Sequence, residues 1–426
     1  IVSAGLPGMD YGEVSTLMAR TVGGFNTMLQ TGSPVPDSAR IPASTESPLF
    51  GAGGALGDVV GRDWIIFRLK MLDEKIADSL DLSHKLITSA DFSDLKRLRD
   101  LALEMKNDLD SNMAPSGHMY ASSRCGRLFS RSRCVEDLWS GIDQILFAHK
   151  LVTLDASEIC DKLKALQSRL LGAGLLLNVA GGAHAEVLKE AGKRFGGFGV
   201  PAPRNPQASK IERFTALSAF GAAAGKGEVF ASPSLQVGFA AATLKAAPFA
   251  SPQQAADLVV SHQLSTGALW ENIRMKGGAY GAFATPDSLE GIFSLATYRD
   301  PNPQRSLEAF SSILKEAAEG KTALDDAAAE AALTKVVIGA YARETSPRSP
   351  AGKNLADFLR FLYGIDDSHR LKRLKNLVAV NEAEVSAVFK RLAGDTDNAN
   401  AVIIAGKAEA EKAATLFGME LRQLPV

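Results

Sequence analysis

The chain has 426 residues, 46% hydrophobic and 22% charged, the composition of a globular protein with two or three cores. Its 47 basic and 48 acidic residues leave a net charge of −1, so no bulk basic field exists to hold nucleic acid or an anionic membrane surface. No run of about 18 apolar residues occurs, so no membrane-spanning helix is expected. Three cysteines, Cys125, Cys134 and Cys160, are an odd and sparse set without a C-x-x-C pair. They predict packed thiols in a reducing compartment rather than a disulfide framework. The first residues are Ile-Val-Ser, with no charged segment ahead of an apolar one, which reads as a start in mid-protein and not as a signal peptide.

In chain order, Ile1 to Gly24 reads as a loop and a helix ending at Gly23-Gly24, with Val14, Leu17 and Met18 on one face. Phe25 to Gln30 is a short strand, and Pro34 to Gly61, rich in Pro, Ser, Ala and Gly, is a loop. Asp63 to Leu80 carries Ile65, Ile66, Leu69, Leu72 and Ile76 at helical spacing and is expected to be a helix. A surface helix follows from Asp94, broken by Pro115-Ser116-Gly117. A third helix starts near His118, where the histidine caps or packs, and runs past Leu128. Leu175 to Val179 reads as a strand. The Gly/Pro-rich stretch Phe198 to Ser209 reads as a boundary between domains 1–200 and 201–426.

After it, Ser234 to Ala241 alternates like a half-buried strand. Ser251 is an expected N-cap with Pro252 as first helical residue, and that helix is expected to reach Trp270 or Arg274. Ile292 to Tyr298 is a strand. Helices are expected near Ser306 to Ala318, Asp325 to Arg343, Gly352 to Tyr363 and Glu382 to Leu392, then a final strand at Val402 to Ala405. Strands mixed with successive helices favour α+β over a doubly wound sheet.

Several chemistries are poorly supported. His84, His118, His149, His184, His262 and His369 include no two within one helical turn, so no zinc motif of that kind is present. His184-Ala-Glu186 lacks the P-C-x-x-C partner of a zinc deaminase. There is no G-x-S-x-G elbow, and the glycine clusters at Gly172 and Gly196 fit neither phosphate-loop pattern. What remains is Leu269-Trp-Glu-Asn-Ile-Arg-Met-Lys-Gly-Gly-Ala-Tyr-Gly-Ala-Phe283: a helix end, a double-glycine turn, and a strand carrying Tyr280. On general grounds Arg274 and Lys276 could simply answer a helix dipole, and Tyr280 could be cross-strand packing.

That segment resembles the signature of the C-terminal half of the pitrilysin/insulinase superfamily, in its presequence-protease branch. Gly291-Ile-Phe-Ser-Leu-Ala-Thr-Tyr-Arg-Asp-Pro-Asn302 is similar to the same branch. So are Ser89-Ala-Asp-Phe-Ser-Asp-Leu-Lys-Arg-Leu98 with Ser116-Gly-His-Met-Tyr-Ala-Ser-Ser123, and Ser346-Pro-Arg-Ser-Pro-Ala-Gly-Lys353. The resemblance implies an α+β fold of two homologous domains, each a mostly antiparallel sheet covered by helices. These would be the third and fourth of four, the third without its opening strands. It implies that zinc is held by a missing N-terminal half bearing H-x-x-E-H, covalently attached or separate, with no metal in this chain. The two halves would close around short unfolded peptides.

By position, the resemblance assigns Arg274 and Tyr280 to substrate binding and oxyanion stabilisation, with Gly277 and Gly278 as the loop between them. For Tyr298, Arg299 and Asp300 a strand terminus with an ion pair is expected. This chain without its other half would be inactive. A soluble location is implied, cytoplasmic in a bacterial source and an organelle matrix in a eukaryotic one. The alternative is a zinc-free relative serving as a scaffold or assembly subunit.

Overall fold

The computed structural model of the chain describes residues 1, 3–35, 62–199, 227–320 and 326–426. Most of the expected loop at 34–61, and the boundary stretch from residue 200 on, lie outside these. The first element is helix α1 (Tyr11–Thr21), opened by a reciprocal capping box between Asp10 and Glu13. Strand β1 (Gly24–Gln30) follows and pairs antiparallel with β2 (Trp64–Lys70), from Gly24 opposite Lys70 to Gln30 opposite Trp64. The helix expected from Asp63 therefore begins only at α2 (Ile76–Ser89). Ile65 and Leu69 are four apart, a spacing that suits a helix and one face of a strand equally. The register decides between them: Ile65, Phe67 and Leu69 stand opposite Leu29, Thr27 and Phe25, and the Phe25 and Phe67 rings stack at 6.0 Å.

Helix α3 (Leu95–Gly126) runs without interruption through Pro115 and Gly117. Its start is capped by Asp94, which accepts from the Arg97 amide at 2.9 Å. Pro115 and Ser111, the residue whose carbonyl loses its partner, both face solvent, so water can satisfy the group that proline leaves open. Gly117 is not a breaker but a contact point, since a Cβ there would fall inside the Phe239 ring. His118 thus lies in mid-helix rather than at a helix start. Helices α4 (Arg131–Ser140), α5 (Ile142–Leu151), α6 (Ala156–Leu171) and α7 (His184–Phe195) follow. Leu175 to Val179 forms no strand; the Leu175 amide donates to the Gly199 carbonyl at 2.9 Å, closing the ends of the α7 loop. Cys125, Cys134 and Cys160 are buried and form no disulfide.

The main sheet is six-stranded. It holds β3 (Glu228–Ala231), β4 (Phe239–Lys245), β5 (Gly281–Asp287), β6 (Ile292–Tyr298), β7 (Asn400–Ala405) and β8 (Glu420–Gln423) in the order β5-β6-β4-β7-β3-β8. The β5–β6, β6–β4 and β4–β7 pairings are antiparallel, while β3 runs parallel to β7 and β8. Mixed helices and a largely antiparallel sheet make the fold α+β. One face carries α8 (Gln253–Thr266), α9 (Pro303–Ala318), α13 (Glu382–Gly394) and α14 (Lys407–Phe417). Helices α10 (Asp326–Glu344), α11 (Pro350–Tyr363) and α12 (Asp367–Val378) connect α9 to α13.

The other face is covered by α3, whose Met113, Tyr120, Ala121 and Cys125 pack with Phe239, Ala241, Val402 and Ile404. Burial on both faces removes the alternation that marks a half-exposed strand. That is why the strand expected at Ser234–Ala241 lies instead at the evenly apolar Phe239–Lys245. Helix α8 starts at Gln253, with Pro252 in the cap position instead of Ser251, and ends at Thr266. Strand β7 is not last, because α14 returns the chain to β8 along the far edge.

Beneath α3 lies a dry charge network. The fully buried Arg124 donates Nε and one terminal nitrogen to Glu228 at 2.6 and 2.8 Å, and the other to Asp137 and Asp143 at 3.0 and 3.1 Å. Arg127 and Arg422 flank the carboxylates. Burial opposes the charge of Arg124, but Glu228, Asp137 and Asp143 together raise its pKa. Burial first, then the Asp143 and Glu228 charges, push the Asp137 carboxyl from 3.8 up to about 7 against the pull of Arg124.

Gly117→Ala is expected to destabilise the fold by about 1–3 kcal/mol in urea unfolding, with part of the loss recovered when Phe239→Leu is added. Arg124→Met, which strands three carboxylates, should cost about 3–5 kcal/mol. A carboxyl with a raised folded pKa holds its proton more tightly when folded. Stability should therefore fall as pH rises from about 4 to about 7, and Asp137→Asn should flatten that slope.

Candidate functional site

Helix α8 stops at Gly267, and the chain then winds into a π-helical turn, Trp270–Met275. In it the Lys276 amide donates to the Glu271 carbonyl five residues back, at 3.0 Å. The turn is anchored by Leu269 and Ile273, both buried, so Arg274 and Met275 are left on the outside. Glycines then reverse the chain. The Gly278 amide donates to Arg274 O at 3.0 Å and the Ala279 amide to Ile273 O at 3.1 Å. Gly278 has φ +82°, and a Cβ on Gly277 would lie 2.5 Å from the Ile273 carbonyl oxygen. Buried Ala279 is the second anchor, and Tyr280 emerges at the head of β5 with 66% of its surface exposed.

The reversal brings Arg274 and Tyr280 together, with the guanidinium carbon 5.8 Å from the ring centre. Lys276 is instead occupied by Glu271 at 2.7 Å. The β5–β6 register sets Gly281 opposite Tyr298, so the head of one strand meets the end of the other. The Tyr280 amide donates to the carbonyls of Tyr298 and Arg299 at 3.0 and 3.2 Å, and the two phenol rings meet edge-on at 5.6 Å. From beneath, His118 of α3 packs edge-on against Tyr298 at 4.9 Å and lies 6.0 Å from Phe283. Burial lowers the His118 pKa, which favours the neutral ring.

The structure corrects the expectation for the end of β6. Tyr298 does end the strand, but Arg299 and Asp300 do not form the expected ion pair. The Arg299 guanidinium lies 5.3 Å from the Tyr298 ring, while buried Asp300 accepts from the Asn302 amide at 2.9 Å. Neither Arg274 nor Arg299 has an ion-pair partner among the described residues. The free edge of β5 is blunted: the Ala284 amide donates to Ser265 Oγ at 2.9 Å, and Pro286 has no amide hydrogen. A ligand would therefore meet side chains at the head of β5 rather than extend the sheet. The signal for this cluster was the pairing itself, since two strands joined by a short hairpin must bring Tyr280 to Tyr298.

The described residues do not fit a zinc ion. The six histidines lie on six different helices, and no group of three or more His, Cys, Asp or Glu is placed to hold a metal. No helix among them is long and apolar enough to cross a membrane.

Residues 247–407, which include the whole cluster at the head of β5, match the PreP C-terminal domain family. Residues 58–151, which include α3, match the family described as associated with subfamily C of the M16 peptidases. The mitochondrial presequence protease of Danio rerio is 28% identical over 359 residues, covering 80% of this chain and 34% of the relative. The chloroplastic/mitochondrial presequence protease 1 of Arabidopsis thaliana is 24% identical, covering 82% and 31%. The chain thus spans about a third of the length of these relatives. In fold it is similar to a Helicobacter pylori protease (TM-score 0.55, 14% identity, 95% of this chain and 87% of that one). It is also similar to a peptidase M16 inactive domain from Pseudomonas fluorescens (TM-score 0.54, 12% identity, 100% and 88%).

The turn geometry carries its own test. Gly278→Ala forces a side chain into positive φ and should lower stability by about 1–2 kcal/mol in thermal unfolding. Gly277→Ala should do at least as much, because the new methyl meets backbone, whereas Gly197→Ala, with open space around it, should change little.

Proposed function

The chain belongs to the presequence-protease type of the pitrilysin family, and we propose that its Arg274–Tyr280 surface completes the active site of a zinc peptidase whose metal-binding half lies elsewhere. The observation that carries this reading is geometric. A π-turn and two glycines fix an exposed phenol and an exposed guanidinium 5.8 Å apart, with no acidic partner for the cation among the described residues.

Peptide hydrolysis builds negative charge on the scissile carbonyl oxygen. The Tyr280 hydroxyl is a donor suited to that oxygen, and Arg274 is suited to hold a backbone carbonyl or carboxylate of the same peptide. Both are held on backbone braced by buried neighbours, which limits reorganisation when a substrate arrives. The metal would belong to the other half, attached or separate, since the residues described here do not fit it. The substrates would be short unfolded peptides, admitted between two closing halves that exclude folded proteins.

The test is cleavage of an unstructured fluorogenic peptide by this chain, by the half bearing H-x-x-E-H, and by the two combined. Activity is expected only in combination. Tyr280→Phe should then lower kcat by about 100-fold or more while leaving KM little changed. An unchanged rate would reduce Tyr280 to packing. Halves that associate without any cleavage would replace this reading with that of a scaffold subunit.

A further inference from the structure

In a β-strand, successive side chains point to opposite faces. Tyr298 and Arg299, adjacent at the end of β6, should therefore diverge. They do not: Arg299 has φ +46°, and its guanidinium returns to within 5.3 Å of the ring of its own predecessor. A left-handed backbone disfavours every residue but glycine, asparagine and aspartate, so arginine is a costly occupant here. The conformation is held from several sides. The Tyr280 amide donates to Arg299 O at 3.2 Å, and Gly238 and Asp300 exchange two backbone hydrogen bonds of 2.7 and 2.8 Å immediately beyond. Such over-determined strain is characteristic of functional positions.

The outcome is a row of four side chains on one exposed surface: Arg274, Tyr280, Tyr298, Arg299. Each is in ring contact with the next, and a guanidinium stands at either end. Neighbouring acids do not neutralise it. Glu271 is taken by Lys276, and the Asp300 carboxyl is buried and turned to the Asn302 amide. Two exposed guanidiniums without acidic partners among the described residues suit a planar two-oxygen anion, which either can bind through paired N–H donors.

We propose that Arg299 is a specificity-determining residue that binds a carboxylate of the bound peptide, at the end of the row opposite Arg274. This rests on the reading of Arg274 and Tyr280 as a peptide site and adds to it a preference among peptides. The carboxylate could be the peptide's C-terminus or an acidic side chain.

The experiment is fluorescence anisotropy with three labelled unstructured peptides, on the complete protein with a chelator present so that they stay intact. One has a free C-terminal carboxylate and no acidic residues. The second is its C-terminal amide. The third is the amide with one internal glutamate. The unaltered protein should bind the first or the third about tenfold or more tightly than the second, and Arg299→Gln should erase that difference while leaving the second peptide's affinity unchanged. Preference for the first identifies the C-terminus, and preference for the third identifies a side chain. Arg299→Gly, which accepts positive φ freely, should lose the preference with no fall in melting temperature, separating recognition from folding. Equal loss for all three peptides, no loss, or no preference in the unaltered protein would overturn the proposal. Cleavage by the combined halves tests the underlying reading separately, since it can succeed while the carboxylate preference is absent.

Discussion

Arg124 is completely buried, and a buried guanidinium can be kept charged only by acids arriving from its surroundings. Those acids come from three different elements: Glu228 from β3, Asp137 from α4 and Asp143 from α5. One side chain on α3 thereby fixes the position of two further helices and of a strand in the main sheet. The network contributes little net stability, because desolvation offsets most of its Coulomb energy, but it penalises every arrangement that leaves one of its charges alone. Gly117, about two turns back along the same helix, sets the distance. Without a side chain there, α3 sits directly on the Phe239 ring at the centre of the sheet.

That placement reaches the candidate site through a single neighbour. His118 follows Gly117, so the close approach of the helix delivers the imidazole to the Tyr298 ring. Tyr298 in turn lies edge-on to Tyr280. Below the exposed phenol there is thus a continuous path of packed rings into a helix that cannot shift without uncovering buried charge. An exposed side chain is normally free to sample rotamers. Here the π-turn, the two glycines and the edge-on ring confine where Tyr280 and Arg274 can go, which is what a site acting by preorganised hydrogen bonds requires.

How much of this the sequence disclosed depended on whether a local signal had one meaning. Helices with caps and a single apolar face, such as α1, α9 and α13, were legible nearly to the residue. Pro115 misled because the breaker rule presumes that the freed carbonyl has no other partner, and on an exposed helix face water serves. Ile65 and Leu69 misled because a four-residue spacing fits both periods. The strand at Phe239 was misplaced because burial on both faces erases alternation. At the site, Arg274, Tyr280 and the glycines stood out as a motif, but Arg299 did not. Its importance lies in a backbone dihedral and in the absence of an acidic partner among the described residues, and neither is written in the neighbouring residues.

Irregular backbone is not spread evenly around the main sheet. The π-turn, the positive φ of Gly278 and the positive φ of Arg299 all lie within the few residues that surround Tyr280. Ala250, the other described non-glycine residue with positive φ, sits before α8 in a bend satisfied locally by Gln254. The comparison separates two uses of strain. At Ala250 the strained residue is small, and its amide is consumed by its own turn. At Arg299 the strained residue carries a long cation, and its conformation turns that cation towards an exposed aromatic surface. Packing alone would be served equally well by glycine at that position. The charge, and not the turn, is therefore what the strain supports, and a charge held ready on an exposed surface is useful only to something that binds there.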